Sequence, residues 1–461
     1  MIAAIIIFAL TYVLILSFPK YRPYIALASG LIFVITGLLP LNQVLGAIDY
    51  NVLLMIAGTM GLVTLFIDSK MPSLLADIIM EKVPNVQWAA VALALFAGVI
   101  SAFVDNVATV LMVAPVALEI CKKLKTNPVP FIIGIAVSSN LQGAATLVGD
   151  TTAIMLGSAL DMSFLDFIWY LGKPSIFFAV ELGALISALI LAIIFRKEKD
   201  PIPKTGERTK VTDYVPTVLL VGTIVALIVA SFIPWDLSIK NGLICCVILV
   251  IGLIYNFFKK EAPVVVEGSK DNADEKVVYS VNSTSTVKER LNEKVLAPLK
   301  TIDFETLGLL VGLFLMIGGI EAQGVIAMLA QGLASVGGDN IFLLYTVIVW
   351  ASVLISAFID NIPYVATMIP VIAGLAAELA PGLGIDPALL ATPLYFGLLS
   401  GATLGGNCTP VGASANITGI AILRKEGYEV KNSDFFKIGI PFTLAAIIPA
   451  YIYIWLLYGV H

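Results

Sequence analysis

Two acidic hexapeptides stand inside apolar surroundings, "SAFVDN" at residues 101–106 and "SAFIDN" at 356–361. A carboxylate in such a run can bind a cation, carry a proton, cap a helix or pair with another charge. The segments 87–121, 131–162 and 342–423 contain no Lys, Arg or His, and the single histidine, His461, is the last residue. Any proton relay among these segments must therefore run through carboxylates. A third acid, Asp150, ends "GAATLVGD" at 143–150, whereas the matching stretch "GNCTPVGA" at 406–413 ends in Ala413. Asp105, Asp150 and Asp360 without a basic neighbour suit a cation or a neutral solute. They repel a dianion unless cations enter with it.

The elements that hold these acids follow from composition. The chain has 461 residues, 59% hydrophobic and 13% charged, with a mean hydropathy of +0.99. Soluble domains carry about 25% charged residues. Apolar stretches of about 20 residues, the length that crosses a bilayer, recur from end to end. The expected fold is an all-α polytopic membrane protein with the lipid bilayer as its partner, and no nucleic-acid interaction. The alternating ten-residue segments of a β-barrel are absent. The opening "MIAAIIIFALTYVLILSF" has no basic residue before its apolar core and no small-residue cleavage site after it, so it reads as a first transmembrane helix. Cys121, Cys245, Cys246 and Cys408 have neither metal-ligand spacing nor a disulfide pattern. No cofactor is expected.

Helical spans are expected at 2–17, 25–39 and 50–67, with a short amphipathic piece at 72–81. The first Asp-Asn stretch lies in 88–121, an interrupted span in 128–158, and one long span over 164–195. The order then repeats: 214–232, 243–257, 304–320, a second Asp-Asn stretch in 342–379, a second interrupted span in 392–423, and 438–458. Residues 1–200 form the first repeat. Residues 211–257 open the second, which continues over 301–461 after a polar, flexible linker at 258–300. If each Asp-Asn stretch is a re-entrant hairpin and the N-terminus lies outside, all but Lys173 and Lys240 of the 27 basic residues fall in cytoplasmic loops. The linker is then cytoplasmic and both termini lie outside a multi-pass cell membrane protein. Five crossings per repeat is an odd number, so the second repeat is inverted relative to the first.

Three matches support the repeat: "AIDYNVLL" at 47 with "TIDFETLG" at 301, "SAFVDNVATVLMVAP" at 101 with "SAFIDNIPYVATMIP" at 356, and "GAATLVGDTTA" at 143 with "GNCTPVGASAN" at 406. Asp49 and Asp303 each precede an apolar helix and read as N-caps. The glycines of the interrupted spans let the chain unwind, freeing carbonyls on one half-helix and N–H groups on the other. A hairpin tip meeting a broken helix, once per repeat, gives a two-sided ion or substrate site. Its candidate residues are Asp105, Asn106, Asn140, Thr146, Asp150 and Thr151 from the first half. The second half supplies Asp360, Asn361, Asn407, Thr409, Ser414 and Asn416.

At these residues the chain resembles the ion transporter superfamily, in the branch of arsenite/antimonite permeases, D-type sodium/proton antiporters and the melanosomal P protein. "SAFIDNIPYVATMIP" and "LGGNCTPVGASANITGIAILRKEGY" are similar to the P-protein pattern, and "GDTTAIML" to the D-type antiporters. The resemblance implies two inverted repeats of five transmembrane helices, each with a hairpin and a broken helix, an elevator mechanism, and a homodimer as in paired elevator relatives. Dicarboxylate relatives carry Ser-Asn-Thr motifs where this chain has Asp105-Asn106 and Asp360-Asn361, a departure that argues against citrate-like substrates.

The expected function is a proton- or sodium-coupled antiporter exporting an inorganic ion, arsenite/antimonite or Na+. The alternative is a sodium-coupled importer of organic anions, with carboxylates held at half-helix N-termini. An intramembrane aspartyl protease would need Gly-x-Gly-Asp, but 147–150 reads "LVGD", so no enzyme activity is expected. A passive channel on the same fold would carry uncoupled current.

Overall fold

The computed structural model describes residues 1–202, 208–233, 237–259, 264–268, 277–281, 287–338 and 340–460. Of the linker at 258–300, where flexibility is expected, residues 260–263, 269–276 and 282–286 lie outside the described residues. Val264–Gly268 and Val277–Val281 pair antiparallel, and Val287–Lys300 is a run of short helical turns.

Nine principal helices form each half. The first half has α1 (Ile2–Ser17), α2 (Arg22–Ile35), α3 (Tyr50–Asp68), α4 (Met71–Lys82), α5 (Val86–Ser101), α6 (Asn106–Leu124), α7 (Val129–Gln142), α8 (Thr151–Ala159) and α9 (Ile176–Ile194). The second has α10 (Val215–Ala230), α11 (Lys240–Phe258), α12 (Phe304–Ala322), α13 (Val325–Gly337), α14 (Ile341–Ser356), α15 (Asn361–Leu383), α16 (Pro387–Gly405), α17 (Ser414–Lys425) and α18 (Asn432–Tyr458). Among the described residues, seven helices are long and apolar enough to cross a membrane. α1 and α2 are shorter and meet at a bend of 118°.

The expected span 164–195 is α-helical only from Ile176. Before it, Trp169–Tyr170 and Lys173–Pro174 form a two-stranded hairpin. Leu171 and Gly172 turn it with positive φ, the geometry that two-residue hairpin loops favour. α13 was not among the expected spans, although it repeats the place of the amphipathic α4.

Packing repeats with the order. α5 lies on α7 as α14 lies on α16, and α9 packs against α18. The halves also interlock. Gly312 of α12 sits against Ala26 of α2, and Gly319 against Phe33, so these two helices run parallel. Gly58 of α3 sits against Cys245 of α11, and Gly252 against Leu65, the same parallel arrangement in the equivalent pair. Thr64 and Thr301 share a hydroxyl hydrogen bond of 2.6 Å, while Ala47 packs on Gly318. α3 and α12, which hold equivalent places, therefore run in opposite directions. Asp49 accepts from the Val52 N–H and Asp303 from the Thr306 N–H, the caps their positions call for.

α5 and α6 form a hairpin turning at Ala102–Asp105, and α14 and α15 one at Ala357–Asp360. Each tip rests on a helix break. A Cβ on Gly149 would lie 2.6 Å from the Gly143 carbonyl oxygen and 3.0 Å from those of Ser101 and Ala102. On Gly412 it would lie 2.5 Å from the Gly406 oxygen and 2.9 Å from those of Ser356 and Ala357. Backbone meets backbone here, and no side chain fits. We expect Gly149→Ala and Gly412→Ala each to cost about 1–3 kcal/mol through overpacking. Gly222→Ala on α10, a helix-interior site where a Cβ meets nothing within 4 Å, should cost nothing or stabilise slightly. Thermal unfolding of the purified proteins checks the contrast.

Candidate functional site

Each hairpin tip is tied to its break by the same bonds. The Thr146 hydroxyl donates to the Ala102 carbonyl and accepts from the Val148 N–H. The Thr409 hydroxyl donates to the Ala357 carbonyl and accepts from the Val411 N–H. The Asn416 amide donates to the carbonyls of Gly406 and Thr409, both at 3.0 Å, closing the second break. Asp105 caps α6 through the N–H groups of Val107 and Ala108 at 3.0 and 3.2 Å, and Asp360 caps α15 through Ile362 at 3.1 Å. Both carboxylates thus sit at positive helix ends.

One polar network joins the halves. Asn106 donates to Asn140 at 3.0 Å, and Asn140 donates to Asn407 at 3.0 Å and to the Thr403 carbonyl at 2.7 Å. Asn407 donates to the Val137 carbonyl at 2.8 Å. Asp150 accepts from Thr152 at 3.0 Å and from Asn361 at 3.3 Å, and Thr152 bonds Thr403 at 3.1 Å. Every step passes from one repeat's hairpin or break to another part of the same centre.

A cavity of 410 Å³ opens beside this network. Asp68 and Asp303 are exposed at its mouth, Asp105 is half-buried further in, and Asp150 is buried at 6% exposure. Its described lining has no Lys, Arg or His. The structure brings Asp105, Asn106, Asn140, Asp150, Thr151, Asn361 and Ser414 to the wall. Thr146, Asn407, Thr409 and Asn416 stand behind it, with hydroxyls and amides committed to backbone carbonyls. They hold the site together but do not line it.

Asp360 departs from expectation. It lies outside the cavity lining and pairs with the Arg22 guanidinium at 3.0 Å, with side-chain exposures of 18% for Arg22 and 13% for Asp360. The reading of three carboxylates without a basic partner holds within the hairpin segments but fails across the fold, because α2 delivers Arg22 from a distant loop. Asp68 and Asp303 were missed as site residues. Asp303 reads as a cap in the sequence and serves as one, while also lining the cavity mouth.

The described fold agrees with known transporters. A family model described as "Citrate transporter" matches residues 12–394. The chain belongs to the CitMHS family. An uncharacterized transporter of Mycobacterium tuberculosis is 29% identical over all of this chain and 99% of its own length. A 46 kDa membrane protein of Mycobacterium leprae is 32% identical over 78% of this chain and 74% of its own. The P protein of Sus scrofa is 26% identical over 96% of this chain and 58% of its own length. The YdaH transporter of Alcanivorax borkumensis shares the fold at a TM-score of 0.57 and 13% identity, covering 94% of this chain and 90% of that one. This CitMHS protein is thus a multi-pass membrane transporter and not an enzyme. Its family model has a citrate description, whereas the hairpin tips led the sequence reading away from citrate.

Removing one partner of a buried ion pair leaves the other charge uncompensated, at up to about 3–5 kcal/mol. Arg22→Met should therefore destabilise the protein strongly, and Arg22→Met with Asp360→Asn should recover most of the loss. Thermal unfolding of the two single variants and the double variant measures the coupling.

Proposed function

We propose that this protein is a secondary active antiporter that couples proton or Na+ movement to export of a small inorganic ion, arsenite/antimonite or Na+. The observation that carries the reading is the charge of the cavity wall. Four carboxylates descend from mouth to floor with no basic side chain among the described lining. Such a wall concentrates cations, admits neutral hydroxides and repels anions. Asp105 and Asp150 are the residues that bind the coupling ion, with Asn106, Asn140, Thr151, Asn361 and Ser414 as neutral ligands.

In the same proposal the two halves are inverted repeats, as the opposed directions of α3 and α12 suggest, and transport is of the elevator type. With the N-terminus outside and the basic loops cytoplasmic, Asp68 and Asp303 lie beside Lys70 and Lys300. The cavity then faces the cytoplasm of the cell, and the protein works as a homodimer.

A second reading rests on the citrate description of the family model and on Arg22, a cation near the second tip. In that reading the protein imports an organic anion together with Na+, which neutralises the substrate before it meets the acidic wall.

Asp105→Asn and Asp150→Asn should each abolish coupled transport while leaving expression intact. Proteoliposomes with an imposed pH or Na+ gradient, assayed for Na+, arsenite, antimonite and citrate, test this. Saturable citrate uptake selects the second reading, and full transport by both variants overturns the role of the wall.

A further inference from the structure

One carboxylate lies away from the cavity. Glu181 is the only ionisable residue of α9, a turn and a half from the start of a 19-residue apolar helix. It is half-buried, and Phe178, Leu182 and Leu185 of the same helix are exposed on the molecule's apolar outer surface. An ionised carboxylate in such apolar surroundings calls for short, charge-assisted hydrogen bonds of about 2.7–2.9 Å. Glu181 has instead one long contact, from the Gln142 Nε2 at 3.5 Å.

Gln142 is 1% exposed, and its Oε1 is buried with no hydrogen-bond partner among the described residues. Its amide is wedged against α5, where the Cβ position of Gly98 lies 2.9 Å from Cδ. A protonated Glu181 answers both deficits: its O–H donates to Gln142 Oε1 while its carbonyl oxygen accepts from Nε2. Buried polar groups find partners, and this pairing supplies them after a small side-chain rotation.

No other group near Glu181 competes for the proton. α5 and α7 contain no ionisable residue. α18 contributes Asp434 and Lys437 in its first two turns, at the end remote from Glu181, and tyrosines towards its C-terminus. Of these, Tyr453 and Tyr458 donate to the Pro174 carbonyl. In the preceding hairpin, Lys173 donates to the Leu457 carbonyl. The spacing that maps Gly143 onto Gly406 puts Leu444 and Gly405 in the places of Glu181 and Gln142, so the second half has no such pair.

We infer that Glu181 and Gln142 form a proton-holding site outside the acidic cavity, a carboxylic acid–amide pair whose proton is released and rebound during transport. Gln142 is the last residue of α7, directly before the break at Gly143, so loss of the proton acts on the segment that places Asn140 and Asp150. The site does not depend on which solute the cavity binds.

Infrared spectroscopy of the full chain in liposomes tests it. At neutral pH the carbonyl stretch of a protonated carboxyl should be present in the wild type and lost in Glu181→Gln. Gln142→Leu should keep the band but move it to higher frequency. In flux assays Glu181→Gln should remain active and lose one step of the alkaline pH profile. A Glu181→Gln spectrum identical to the wild type overturns the site, and an unchanged pH profile overturns its part in coupling. Because the band is read without any solute, failure of the proposed antiport leaves this test intact.

Discussion

A helix that stops inside a bilayer leaves carbonyl and N–H groups that lipid cannot satisfy. Eight helix ends meet that constraint here, two at each of the two hairpin tips and two at each of the two breaks. The solution is mutual: each tip supplies carbonyls to a threonine of the break, and each break brings a glycine onto the tip's backbone. The carboxylates of Asp105 and Asp360 then cap the helices that leave the tips. Once these bonds are made, the side chains that remain, chiefly Asn106, Asn140, Asp150 and Asn361, are free to face one another across the repeat boundary.

The scaffolding is symmetric but the charges are not. Ala413 stands where the first half has Asp150, and Leu444 where it has Glu181. Arg22 neutralises one tip, whereas the other, at Asp105, lines the cavity. The second half thus supplies mainly neutral donors and structural bonds, with Asp303 its one acid at the cavity mouth, and the first half supplies the other three, Asp68, Asp105 and Asp150. A centre of this sort can bind a positive charge in one place without building the same site twice.

Much of this was legible in the sequence, for physical reasons that differ by residue. The repeat, the hairpins and the breaks follow from apolar length, glycines and the twin motifs, because membrane burial restricts what such segments can form. Capping by Asp49 and Asp303 was legible from their position before an apolar run. Arg22 was not, because its partner lies far away in the chain and only packing of α2 brings the two together. Nor was the division of the polar residues into wall and brace. Thr146 and Thr409 have the same composition signal as Thr151, and only the direction of each hydroxyl separates them. The hairpin before α9 was hidden by its apolar character, although Leu171-Gly172 marks its turn in retrospect.

The interlocking of α2 with α12 and of α3 with α11 has an ancestral consequence. Each half lends its second helix to the third helix of the other, with glycines letting the backbones touch. Neither half keeps a complete set of neighbours when alone. A forebear of half this length would have needed a second copy of itself to cover the same seams, and joining the two through the segment between α9 and α10 would have made that partnership permanent.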